Sequence, residues 1–203
     1  MNVLLLGATG TAGSAIAKKL LETTDDKVTL FARHAKEAGI SHPNAVSVNG
    51  DAAKKEDLRA ALQGQDVVYC AVSGAQLPAV AKNLVTLMEE LNRKRLIFMG
   101  AVGIYNELPQ GLGVQYNVDS EESQVPNLEA VEVIEKSGLD YTVLRPGFLR
   151  DGAAEDYVLT MKGEAPKGYI TTIPSVVELA VKLIQDKNLY VRESVAITRD
   201  MTV

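Results

Sequence analysis

A doubly wound α/β fold, with helices on both faces of a parallel sheet, is predicted by three features of this 203-residue chain. Short apolar runs alternate with longer stretches of three- and four-residue apolar spacing, the order that right-handed crossover units produce. Several of the runs are continuously apolar rather than alternating, as strands covered on both faces require. Three glycines, Gly7, Gly10 and Gly13, punctuate the first strand-to-helix passage. No internal repeat or linker divides the chain, and its length suits a single domain over 1–203.

The elements follow in order. Residues 3–6 are an apolar strand, and Ile16, Ala17, Leu20 and Leu21 give the next helix a buried stripe. Residues 28–32 form a second strand, 45–48 alternate as a short third, and 57–62 read as a short helix. Residues 66–72 are a continuous apolar run and the fourth strand. Leu77, Val80, Leu84, Leu87, Met88 and Leu91 then mark a long amphipathic helix, and 95–99 the fifth strand. Residues 100–124 hold glycines, Pro109 and an acidic patch without sustained period, so they are expected to be a lid or binding loop. A helix over 126–136 leads to a strand at 141–144, ended by Arg145-Pro146-Gly147. After a polar stretch come a strand near 169–172, a helix over 174–185 and a last strand near 193–198.

Composition narrows the function classes. Hydrophobic residues make up 46% and charged residues 23%, which excludes wholesale disorder. A net charge of −5 without a basic stripe argues against nucleic acid; the cluster Arg93-Lys94-Arg95 reads as a solvated turn. Cys70 is the single cysteine, and His34 and His42 have no ligand-spaced partner, so neither disulfide nor metal site is expected. No signal segment precedes the first strand, and no apolar run approaches the ~20 residues that span a bilayer. The expectation is a cytoplasmic monomer or homodimer with no membrane contact.

The glycine-punctuated turn, Gly7-Ala-Thr9-Gly10-Thr11-Ala12-Gly13, carries the chemistry. A sharp strand-to-helix turn needs a residue free of Cβ sterics, and small residues let backbone approach a ligand phosphate. The helix N-terminus behind it offers unpaired N–H groups to a pyrophosphate. Ligands on such sheets sit at the carboxyl ends of the strands, which places the end of the second strand at the adenosine ribose. An acid there would accept from a free 2′-hydroxyl and mark NAD, but this chain has Arg33, followed by His34 and Lys36. A guanidinium suits a 2′-phosphate, so NADP is favoured over NAD; the plain alternative is that Arg33 caps a solvated loop. Asp51, with Ala52 after the third strand, is placed either at the adenine edge or as a turn or cap aspartate. Ala71, Val72 and Ser73 after the fourth strand let backbone pass close to the cofactor, or simply end the strand.

These residues carry a resemblance. The Gly7-to-Gly13 opening, the string Leu139-Asp-Tyr-Thr-Val-Leu-Arg-Pro146 and Gly103-Ile-Tyr105 resemble the atypical short-chain dehydrogenases. The nearest group is the small NAD(P)H-binding proteins related to NmrA and to flavin and biliverdin reductases, over nearly the whole chain. The resemblance implies a Rossmann fold that binds NADP, with substrate over the nicotinamide near 100–117 and 145–160.

The chain departs from that family where its chemistry would sit. Catalytic members carry a serine after the fifth strand and a Tyr-x-x-x-Lys on the following helix. Here the strand ends Met99-Gly100-Ala101, the helix begins Val125-Pro-Asn127, and Tyr105 and Tyr116 are followed four residues on by Pro109 and Ser120. Without a phenol as general acid, simple carbonyl reduction is not expected. Two readings remain. One is a reductase passing hydride from NADPH to a flavin or quinone, which stabilises the charge itself. The other is a non-catalytic NADP-binding redox sensor or interaction protein. Tyr105 is the candidate to stack on a ring substrate, or else packs on the domain surface. Arg145, at the cofactor end of its strand, either orders the loop beside the nicotinamide or forms a structural salt bridge.

Overall fold

The apolar runs assemble, in a computed structural model that describes residues 1–202, into one large sheet with helices on both faces. The first half runs β1 (Asn2–Leu6), α1 (Thr11–Thr23), β2 (Lys27–Ala32), β3 (Ala45–Asn49), α2 (Lys55–Leu62), β4 (Val67–Cys70), α3 (Leu77–Glu90) and β5 (Arg95–Met99). The second half runs α4 (Val125–Glu135), β6 (Asp140–Pro146), β7 (Phe148–Arg150), β8 (Val158–Met161), β9 (Ile170–Thr172), α5 (Ile173–Gln185) and β10 (Glu193–Thr198). The order across the eight-stranded sheet is β3-β2-β1-β4-β5-β6-β10-β8. Every pairing in it is parallel except β10 with β8. The order reverses between β1 and β4, and that switch point opens the crevice where α/β sheets bind ligands.

Alternation of side chains sorts the core into two layers. Leu4, Leu6, Val68, Cys70, Leu96, Phe98 and Val143 face α2, α3 and α4. Val3, Leu5, Val67, Tyr69, Ile97 and Leu144 face α1 and α5. Both sheet faces are dry, which is why β1, β4 and β5 read as unbroken apolar runs.

Local departures from the expected elements have tertiary causes. The fourth strand stops at Cys70, because Ala71 to Ser73 leave the ladder to border the crevice. The strand expected at 141–144 reaches Pro146, held on both sides by β5 and β10. β7 and β8 were not anticipated. β7 is a three-residue strand paired with β9 in a small separate sheet, and β8 is the antiparallel edge of the large one. Strands this short are made by the neighbour they meet, not by their own pattern.

Residues 100–124 are fastened loop rather than open lid. The Glu107 carboxylate accepts from the backbone N–H of Gly103 (2.9 Å) and of Tyr105 (2.8 Å), and pairs with Arg145. The buried Asn117 side chain accepts from Leu108 N–H (3.0 Å) and donates to its carbonyl (2.9 Å). Val102 and Leu108 pack on Ala196 of β10, so the segment has its own small core.

Candidate functional site

The site begins where β1 turns into α1. Gly7 has φ +78°, and a Cβ there would lie 2.8 Å from the backbone carbon and oxygen of Ala71. Its N–H donates to the Phe31 carbonyl (2.9 Å), so the ends of β1, β2 and β4 converge at one point. Gly13, one turn into α1, backs onto the same turn: a Cβ there would meet the Gly7 oxygen at 2.1 Å. Gly10 caps the helix with extended backbone, no side chain satisfies the first-turn amides, and no acid stands in that turn. Those donors and the positive end of the helix are free for an anion.

A cleft of about 210 Å³ lies over this turn. Of the residues expected at the cofactor, Gly7, Thr9, Gly10, Arg33, Asp51, Ala52, Ala71, Val72 and Ser73 are brought together along it. Thr11, Ala12 and Gly13 do not line it; they form the first turn of α1 behind it, with Ala12 and Gly13 buried against the sheet. Phe31, Ala32, His34, Gly50 and Gln76 complete the lining and were not singled out from sequence. Ala32 and His34 adjoin Arg33 and Phe31 precedes them, so the strand-end position itself is a signal for these three. Arg33 is exposed at the rim and, among the described residues, makes no ion pair or hydrogen bond. Asp51 serves its own turn, with Oδ1 accepting from Ala53 N–H at 3.0 Å, while also lining the cleft.

Val72 and Ser73 also border a second cleft of about 230 Å³, which continues over the ends of β5 and β6. Met99 to Val102 and Pro146 to Leu149 form its walls, with Gln124 and Asn127 from the start of α4. No charged side chain lines it. Gln124 is buried, donates to the Val102 carbonyl (3.1 Å) and accepts from the Asn127 amide (3.1 Å). The Asn127 amide is thereby oriented at the cleft, its carbonyl oxygen without a protein partner among the described residues. Of the segments 100–117 and 145–160, which the resemblance places at a substrate, residues 100–102 and 146–149 line this cleft.

Besides Thr11, Ala12 and Gly13, two further expected site residues, Arg145 and Tyr105, lie off both clefts, and for these the reason is electrostatic. Arg145 is fully buried. It pairs with Glu107, its Nε donates to Ser194 Oγ (2.9 Å), and it therefore orders the 103–107 loop and lines neither cleft. Burial pushes its guanidinium pKa down, and the Glu107 carboxylate opposes that shift. The Tyr105 hydroxyl donates to Glu135 Oε1 (2.7 Å) and is bonded to Ser194 Oγ (3.0 Å). Its ring centroid lies 4.9 Å from the Arg145 guanidinium carbon and 4.3 Å from the Lys162 ammonium. Burial raises its pKa, and Glu135 adds to the rise. With its hydroxyl committed to Glu135 and Ser194, half-buried Tyr105 lines neither cleft.

A glycine turn under an open helix N-terminus, at the switch point of a parallel sheet, defines a Rossmann-type dinucleotide-binding protein. The chain belongs to the NAD(P)H-binding family, whose profile matches residues 7–187. It is also similar to a Rossmann-fold NAD(P)-binding family protein from Shigella flexneri, with 33% identity, TM-score 0.85, and 98% of this chain and 94% of that one covered. A short-chain dehydrogenase/reductase from Veillonella parvula in complex with NADP matches at 24% identity and TM-score 0.81, covering 99% and 95%. An anaerobillin reductase from Escherichia coli O157:H7 matches at 19% identity and TM-score 0.81, covering 100% and 98%. The last two likenesses are of fold. No curated protein sequence matches the chain. The resemblance to the atypical short-chain dehydrogenases is borne out. Among the described residues no helix is long and apolar enough to cross a membrane.

Proposed function

We propose that the protein is an NADPH-dependent reductase whose acceptor, a flavin or a quinone, carries the developing negative charge itself. The observation that carries this reading is the lining of the second cleft. Gly100, Ala101 and Asn127 stand where a carbonyl-reducing relative would hold serine and tyrosine, and no side chain there can act as a general acid. Bound in the first cleft, NADPH supplies a hydride. The amides behind Gly7 and Gly10 hold its pyrophosphate, and Arg33 takes the 2′-phosphate, which favours NADP over NAD. The apolar walls Met99, Val102 and Leu149 exclude water, and Asn127 offers one hydrogen-bonding amide to orient a ring. The NADP complex of the Veillonella neighbour and the reductase named in the Escherichia match support the same reading. In this view the chain acts in the cytoplasm, as a monomer or homodimer, on a small molecule.

Rapid mixing of NADPH-loaded protein with a panel of acceptors tests it. Aliphatic ketones are expected to leave NADPH untouched, and a flavin or a quinone to oxidise it. If every acceptor is inert while NADPH binds, the protein is an NADP-binding redox sensor and not a reductase.

A further inference from the structure

We infer that the acceptor of the second cleft is a planar conjugated ring bearing an anionic tail, the ring lying on Phe148 and the tail on Arg150. The inference rests on the reductase reading and adds the substrate class. Phe148 is 43% exposed and lines the cleft. It is held in place, since its N–H donates to the Tyr169 carbonyl (2.7 Å) and Tyr116 packs against its ring (centroids 4.6 Å apart, 71° between planes). Two further large apolar side chains are exposed on the neighbouring segments. Val114 shares a short turn with Tyr116, and Val125 lies between the cleft-lining Gln124 and Asn127. Apolar surface kept open beside a concave site marks where a ligand is buried, and an aromatic face selects a flat ring in offset contact.

Arg150 lies two residues along β7 and therefore on the same side of the strand as Phe148. Of the four cations between residues 145 and 170, Arg145 pairs with Glu107, Lys162 with Glu135 and Lys167 with Asp200. The exposed Arg150 side chain, next in sequence to the cleft-lining Leu149, alone has no ion-pair or hydrogen-bond partner among the described residues. The cleft lining is uncharged, so it accepts the neutral ring and leaves an anion to the rim. A guanidinium fork there suits a carboxylate or a phosphate.

Riboflavin and riboflavin 5′-phosphate share one ring and differ by an anionic tail, so they serve as probes. Flavin fluorescence is titrated with NADP⁺-saturated protein at low salt. The phosphate form is expected to bind tighter by on the order of fivefold, what an exposed ion pair sustains. Arg150→Gln should erase that preference and leave riboflavin unchanged. Phe148→Ala should weaken both flavins by the same factor, Phe148→Leu by less, with NADP⁺ affinity held in every variant. Equal affinity for the two flavins in the unaltered protein, a preference that survives Arg150→Gln, or no binding of either flavin overturns the inference. Flavins that bind with this pattern but are not reduced by NADPH would sink the reductase reading and leave the inference standing. Turnover of both flavins with equal affinity would do the reverse.

Discussion

Arg33 and Tyr105 illustrate how partners decide what a side chain can do. Arg33 is exposed at the rim of the first cleft without a protein anion, so its guanidinium is available to a ligand. Arg33→Ala is expected to weaken NADPH by more than about tenfold, as loss of a charge-assisted bond implies, and to leave NADH nearly unchanged. Paired titrations check this, and equal weakening of both cofactors would count against the 2′-phosphate role. Tyr105 is the opposite case. Its hydroxyl is committed to Glu135 and Ser194, and it lines neither cleft. Tyr105→Phe should cost about 1 kcal/mol in urea unfolding, the ordinary value of such a bond, while kcat and KM for NADPH oxidation hold steady. A large fall in kcat would return Tyr105 to the chemistry.

At the scale of elements, the strand-to-helix turn does two jobs with different glycines. Gly13 has no room for a side chain because the Gly7 oxygen fills the space, so it fixes how closely α1 packs on β1. Gly10 has only the Gly7 oxygen within reach of a Cβ, at 3.4 Å, and otherwise faces the cleft. Gly13→Val should therefore destabilise the fold by about 3 kcal/mol or more, through overpacking against backbone. Gly10→Val should keep its circular dichroism spectrum and lose dinucleotide binding, since the added methyls occupy the phosphate space. A folded Gly10→Val that still binds would mean that Gly10 serves the turn alone. The 100–124 loop belongs to this scale as well. Its order comes from the Glu107–Arg145 pair, and breaking a buried pair from one side leaves an uncompensated charge.

Across the whole molecule, the first cleft is built from the ends of β1, β2, β3 and β4, so a dinucleotide bound there would tie four strands together. NADPH at a hundred times its Kd should add about 2.7 kcal/mol to stability by mass action. For a chain of this size that corresponds to a rise in Tm of about 5–10 °C. Thermal scans check it, and a shift of the same size in Gly10→Val would show that the ligand binds elsewhere.

Residues close in sequence determined most of the fold and half of the site. The dry strands β1, β4 and β5, the amphipathic α3 and the Gly7-to-Gly13 turn are local patterns, because sheet coverage and a tight turn impose their demands on neighbouring residues. Position after a strand then placed Arg33, Asp51 and Val72 at one crevice, since carboxyl ends of parallel strands converge. Tertiary structure alone decided the rest. β7 and β8 exist through their pairing with β9 and β10, and Phe148 reaches the cleft only because that small ladder presents it. Arg145 and Tyr105 are held off both clefts because Glu107, Glu135 and Ser194 come to them across 30 to 89 residues of chain. A sequence names the charged groups; which of them cancel inside a low-dielectric interior is settled by contacts distant in the chain.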